Sequence, residues 1–191
     1  MDTNIEIYEY SKIMSEVRLI KWNDLPKFPI YCDQLLQIVK DELFFMQIGD
    51  EKLITKSMVN NYVKWGMMPK PVKKKYEKLH IAYVIVITIL KQILPISVIK
   101  EGIQLQVALH GSESAYDAFG EAFEESMKEV FEPILKEQNT YILEKREIEY
   151  DRLAISSITS ALSNKLLTEK IIESRIKKYK TLDKRQGEAH D

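Results

Sequence analysis

The chain has 191 residues, of which 45% are hydrophobic and 30% charged, and its formal net charge is −1. This composition excludes an intrinsically disordered chain, and only six glycines and six prolines favour long helices over a strand-rich sandwich or barrel. The single cysteine, Cys32, excludes an internal disulfide and a thiolate zinc site. The long stretches between glycines and prolines predict an all-α protein. The lone cysteine and the lack of a visible signal peptide predict a cytoplasmic location.

The first elements of the chain are an arm and two helices. Residues 1–25 show no strong periodicity and are expected to form an arm packed on the first domain. Apolar residues at helical spacing then predict one helix that starts near Asp33 and a second that starts at Thr55, a good N-cap. Gly66 stands where a left-handed C-terminal cap belongs.

An apolar segment over residues 79–94 follows the second helix. Its β-branched run, residues 84–89, would also suit a strand, but the length of the segment favours a buried helix. The segment is too short, and too interrupted by polar residues, to cross a membrane. A fourth helix is predicted from Ser97, as its N-cap, to about Leu109.

A domain boundary is predicted at residues 110–112, where the composition changes sharply. Residues 113–151 contain twelve acids against four bases, a local balance of −8. We therefore expect a helical domain over residues 1–110 and an acidic helical region for dimerisation or sensing over residues 111–191.

Two helices are predicted within the acidic region. The first has one apolar stripe and is broken or kinked at Pro133. The second starts at about Glu144, and its wide apolar face over residues 150–172 suits packing on the first helix or on a second subunit.

The strongest functional signal lies in residues 51–78, which carry eight lysines against two glutamates, a local balance of +6. Such charge asymmetry suits contact with phosphates, because each lysine that reaches a nucleic-acid backbone releases condensed counterions. We call residues 70–76 the lysine segment. A solvated lysine-rich loop is the alternative interpretation.

Residues 53–100 resemble the winged helix-turn-helix of MerR-type transcription regulators: a helix, a Gly-Met-Met-Pro turn, a basic wing and a long apolar helix. Over residues 25–110 the chain resembles more closely an uncharacterised bacterial family of domains of unknown function that is predicted to be MerR-like. The stretches that carry this resemblance read YCDQ from Tyr31, LITKSMVNNY from Leu53, KKKY from Lys73 and LKQILPIS from Leu90.

The resemblance implies two DNA-binding elements. A recognition helix would contain Thr55, Lys56, Ser57, Asn60, Asn61 and Lys64. A wing would contain Lys70, Lys73, Lys74, Lys75 and Tyr76. Asparagine can pair bidentately with adenine in the major groove, whereas Lys, Ser and Thr mostly position the duplex through its phosphates.

No catalytic motif is found, and the three histidines are scattered along the chain. A carboxylate cluster at helical spacing could suggest a di-iron bundle, but it lacks the Glu-x-x-His pairs that such bundles use; its members are Glu121, Glu124, Glu125 and Glu129. We therefore expect no enzymatic activity, no metal site and no cofactor.

Together these patterns predict a transcriptional regulator of the MerR-like type that binds double-stranded DNA, does not associate with membranes and forms a homodimer. Its C-terminal half would respond to an effector or protein partner that the sequence does not identify. The alternative is a helical protein-protein interaction module without DNA binding, in which the lysines contact an acidic protein or the acidic half of the chain itself.

Overall fold

The computed structural model describes residues 2–47, 52–136 and 147–187, with side chains from residue 5 to residue 181. Over these ranges the chain is mostly helical and forms no strand, which confirms the all-α prediction. The helices are α1 (Asp2–Ser15), α2 (Cys32–Glu42), α3 (Lys56–Lys64), α4 (Lys78–Leu90), α5 (Ile96–His110), α6 (Ser112–Phe131) and α7 (Leu153–Gly187).

Short 3-10 turns and two isolated bridges complete the described secondary structure. The 3-10 turns are Trp22–Asp24, Phe44–Met46, Glu132–Lys136 and Tyr150–Arg152. The bridges are antiparallel and pair Ile30 with Tyr76 and Val72 with Lys75.

Contacts divide the chain into two compact units. One unit is Arg18–Ala122, and the other combines Met1–Val17 with Phe123–Asp191. The functional division that the sequence suggests at residue 110 stays a prediction.

The core of the unit Arg18–Ala122 is built around α4, which packs on α2, while α2 packs on α3. Side chains on all sides of α4 are buried, among them Ile81, Val84 and Ile85. Burial of each such side chain contributes about 1.5–3 kcal/mol. The buried helix predicted over this segment is confirmed, and the strand alternative is wrong.

Helix α4 ends four residues before the end of the predicted segment. The last residues of that segment form a hydrogen-bonded turn, in which Leu94 N donates to Leu90 O at 2.9 Å. The Lys91 ammonium donates to Leu53 O at 2.7 Å, so a polar contact replaces the continuation of the apolar helix.

The other unit contains α1, although the sequence predicts a non-periodic arm there. That expectation is wrong because apolar residues of α1 lie on different sides of the helix: Ile5 and Ile13 are exposed, whereas Met14 is buried. No clean helical periodicity is therefore visible in the sequence. Helix α1 packs on α7 and on the 3-10 turn Glu132–Lys136.

A charged cluster joins α1 to α7. The Glu6 carboxylate accepts hydrogen bonds from Lys170 Nζ at 2.8 Å, Lys177 Nζ at 3.0 Å and Ser174 Oγ at 3.0 Å. These donors lower the pKa of Glu6 from 4.5 to about 2. The cluster therefore stabilises the packing of α1 on α7 as long as Glu6 is ionised.

The predicted break at Pro133 is confirmed, because α6 ends at Phe131 and a 3-10 turn follows. The start of the last helix predicted at Glu144 lies outside the described residues, and α7 begins at Leu153. Among the described helices, none is both long enough and apolar enough to cross a membrane.

Candidate nucleic-acid interface

The lysine segment forms a tight turn with an unusual backbone. Lys75 N donates to Val72 O at 2.9 Å, and the two residues between them have positive φ angles, 50° at Lys73 and 61° at Lys74. Positive φ at both central residues is the signature of a type I′ turn, which prefers Asn-Gly. Lysine side chains are thus presented at the tip of a turn that ordinarily selects other residues.

The core of the unit holds the base of this turn. Ile30 N donates to Tyr76 O at 2.9 Å and Tyr76 N donates to Ile30 O at 2.8 Å, and both side chains are buried. The Tyr76 ring packs edge-on against His80, with the ring centroids 5.6 Å apart. On the outer side, the Lys75 ammonium lies over the Tyr31 ring at 5.4 Å. The turn is therefore fixed relative to α2 and α4.

Helix α3 begins as predicted. The Thr55 hydroxyl accepts a hydrogen bond from Met58 N at 3.3 Å, and Val59 and Tyr62 are buried. Met58 and Val63 are half-buried beside them. On the opposite side of the helix the exposed side chains are Lys56, Ser57, Asn60 and Lys64.

The C-terminal end of α3 is also as predicted. Gly66 has a φ of 66°, the left-handed conformation expected of a C-terminal cap. Met67 N donates to Tyr62 O at 2.9 Å, and Lys100 Nζ donates to Trp65 O at 2.9 Å. The helix therefore has a defined end, and its polar face has a fixed length.

One end of α3 lies close to the base of the lysine segment. Burial raises the pKa of the Cys32 thiol, whereas a hydrogen bond with Tyr76 and the positive charge of Lys56 lower it. Cys32, at the start of α2, is thus within electrostatic range of both elements. Lys56 at the start of α3 and Tyr76 at the base of the turn thus both lie near Cys32.

Both elements and the residues that flank them are rich in lysines that are exposed or half-buried. The lysines at positions 52, 56, 64, 70, 73, 74 and 75 are exposed, and Lys78 is half-buried. Within the part of the chain that the structure describes, no carboxylate forms a salt bridge with a lysine of the lysine segment. These charges are therefore available to an anionic partner.

Three of the predicted contact residues are half-buried or buried. The Thr55 hydroxyl caps α3, and Asn61 is half-buried. Tyr76 is 5% exposed, and its hydroxyl is hydrogen-bonded to the thiol of Cys32. Direct contact of these three residues with DNA stays a prediction.

A groove that was not predicted from the sequence lies beyond the Ile30–Tyr76 bridge, at the end of the paired segments opposite the turn. It has a volume of about 320 Å³ and is lined by Lys27, Phe28, Pro29, Glu77 and Lys78. The available signal was the Pro-Lys-Phe-Pro stretch before α2, in which Lys27, Phe28 and Pro29 are exposed. The stretch lines a groove only because it pairs with residues almost fifty positions further along the chain, and local sequence patterns do not reveal such pairing.

The carboxylate cluster on α6 has no metal-site geometry. Glu121 and Glu125 are exposed, and Glu124 and Glu129 are half-buried. Over the described ranges, no group of three or more His, Cys, Asp or Glu residues could hold a metal ion. The absence of a metal role stays a prediction.

Comparison with known proteins identifies a family. The family described as "Domain of unknown function (DUF1836)" matches residues 20–123. This range agrees closely with the compact unit Arg18–Ala122. No curated protein and no solved structure matches the chain.

Proposed function

The chain belongs to the DUF1836 family, and we propose that it is a DNA-binding transcriptional regulator of the MerR-like type. In this proposal α3 is the recognition helix and the lysine segment is the wing, and both contact one DNA duplex. The protein acts in the cytoplasm, needs no cofactor and has no enzymatic activity.

The observation that carries the proposal is the left-handed backbone at Lys73 and Lys74. For a residue with a side chain, the left-handed conformation costs about 1–2 kcal/mol, and Asn-Gly would satisfy the same turn with less strain. Strained residues that persist tend to lie at functional sites. Two exposed positive charges at this tip are therefore best explained by a ligand that needs them, and a phosphate backbone is such a ligand.

The order and packing of the elements support the same function. Helix α3 follows α2 and packs on it, the lysine segment follows α3, and its base pairs with Ile30 immediately before α2. The exposed face of α3 presents Asn60 between lysines. This arrangement allows the helix to enter the major groove while the turn contacts the flanking backbone.

A homodimer is part of the proposal, because such regulators commonly bind two half-sites. The face of residues 150–172 that suggested dimerisation is partly used inside its own unit, since Leu162, Leu166 and Leu167 are buried. Further along α7, Ile172, Ile176 and Tyr179 are exposed at helical spacing and offer an apolar stripe for a second copy. Light scattering at micromolar concentration should give twice the chain mass, and a strict monomer would contradict the dimer.

The experiment for the proposed function is a selection from random duplexes, followed by affinity measurements on the enriched sequence. We expect enrichment of one sequence by the wild type, and Asn60→Ala should lose about 1–3 kcal/mol of discrimination at one base pair. Failure to bind any duplex at 50 mM salt would contradict the proposal. That result would favour the interaction module, in which the same lysines contact an acidic protein.

A further inference from the structure

The position of the groove follows from the pairing of Ile30 with Tyr76. Ile30 and Tyr76 are opposed in an antiparallel bridge, so the register places Tyr31 beside Lys75 and Phe28 beside Lys78. The Lys75 ammonium over the Tyr31 ring agrees with this register. The paired segments therefore have lysines at both ends, three in the turn and two at the groove.

The lining of the groove combines positive charge with an exposed ring. The Lys78 ammonium lies over the Trp22 ring at 5.4 Å, which restricts its position, and Lys27 is exposed. Phe28 is 67% exposed and stands between Lys27 and Pro29. Such an aromatic side chain contributes little to the core and is suited to contact with a ligand.

The distance between the two basic ends fits a nucleic-acid strand. Residues 75 and 78 are three positions apart, so an extended chain separates them by at most about 10 Å. Successive phosphates of one DNA strand are spaced by about 3.4 Å along the helix axis. A strand that contacts the tip of the lysine segment therefore presents another phosphate within reach of the groove.

We propose that the groove binds a backbone phosphate of the same DNA duplex. In this site Lys27 and Lys78 neutralise the phosphate, while the Phe28 ring packs against the adjacent sugar. This inference rests on the proposed function. Glu77 also lines the groove, so the carboxylate reduces its charge to +1 and weakens the attraction that the two lysines provide.

The test uses charge changes of opposite sign in the full-length protein. In Lys27→Gln/Lys78→Gln, the loss of affinity between 50 and 200 mM salt should be about 3.5-fold smaller than in the wild type, as expected for one missing phosphate contact. Glu77→Gln should bind at least as tightly as the wild type at every salt concentration. The matched controls are Lys40→Gln and Glu101→Gln, which change exposed charges on α2 and α5 and should leave the salt dependence unchanged.

The outcomes separate the groove from the proposed function. Absence of duplex binding by the wild type overturns both. If the wild type binds and only changes in the lysine segment reduce its salt dependence, the groove proposal alone is wrong.

A titration with inorganic phosphate completes the test. Saturable phosphate binding that Lys27→Gln/Lys78→Gln abolishes, with unchanged DNA binding, would identify a small-anion site and overturn the duplex contact. Because Glu77→Gln retains both lysines, a clear decrease in its affinity would also contradict the proposal.

Discussion

Replacing the two left-handed lysines by Asn and Gly should make the protein more stable and a weaker DNA binder. Both residues have φ angles near those of an ideal left-handed conformation. Relief of about 1–2 kcal/mol of strain per residue, of which asparagine recovers only part, less the about 0.5–1 kcal/mol of entropy that glycine loses on folding, leaves a gain of about 1–2 kcal/mol for Lys73→Asn/Lys74→Gly. For a chain of this length, that gain corresponds to a rise in Tm of about 2–8 °C.

The same double variant lacks two charges at the tip of the turn. If each lysine neutralises one phosphate, the factor by which affinity falls between 50 and 200 mM salt should be about 12 times smaller in the variant than in the wild type. The matched control is Lys73→Ala/Lys74→Ala, which removes the same charges but leaves both residues in the strained conformation. It should show the same change in DNA binding without the gain in stability.

Urea unfolding and fluorescence anisotropy with a labelled duplex measure the two effects independently. Stability and DNA affinity should change in opposite directions in Lys73→Asn/Lys74→Gly. If this variant is no more stable than Lys73→Ala/Lys74→Ala, strain at the turn is refuted, and if it retains the salt dependence of the wild type, contact of the turn with DNA is refuted.

Three further predictions concern the fold. Glu6→Gln should cost about 1 kcal/mol at pH 7, a value reduced for solvent screening because the Glu6 side chain is 35% exposed. Since the folded pKa of Glu6 is about 2 and its ordinary value is 4.5, this stabilisation is complete above about pH 4.5 and is lost as the pH falls towards 2. Urea unfolding across this range should show a smaller pH dependence in the variant, and identical profiles would contradict the assignment. Thr55→Ala should cost about 1 kcal/mol through loss of the α3 cap, with Thr55→Ser close to the wild type in thermal unfolding. Ile85→Ala should cost about 2–5 kcal/mol because its side chain is fully buried, and a cost below 1 kcal/mol in urea would contradict the packing of α4.

Features encoded by local signals could be predicted from the sequence. Helix α3 has a capping threonine at one end and a left-handed glycine at the other, so its bounds follow from residues within or beside the helix. Helix α4 could be recognised from its length and apolar character, and Pro133 marks the end of α6 within two residues. Each signal acts over one or two turns of helix.

Features that depend on distant residues could not be predicted in this way. Helix α1 has little amphipathic pattern, and one of its contacts joins Glu6 to Lys170, 164 positions away. The groove depends on pairing between Ile30 and Tyr76. The left-handed turn was hidden for a different reason, because lysine is not a residue that ordinarily indicates positive φ. The charge of the candidate site was thus readable from the sequence, whereas its geometry was not.

The central claim, that the lysine segment contacts DNA, is tested most directly by the salt dependence of duplex binding by the full-length protein. Three exposed lysines outside the unit Arg18–Ala122 provide the matched control variant, Lys128→Ala/Lys178→Ala/Lys180→Ala. The factor by which affinity falls between 50 and 200 mM salt should be up to about 40 times smaller in Lys73→Ala/Lys74→Ala/Lys75→Ala than in the wild type, which corresponds to three phosphate contacts. The control should behave as the wild type. Equal salt dependence in all three proteins, or no binding by the wild type at 50 mM salt, would contradict the claim.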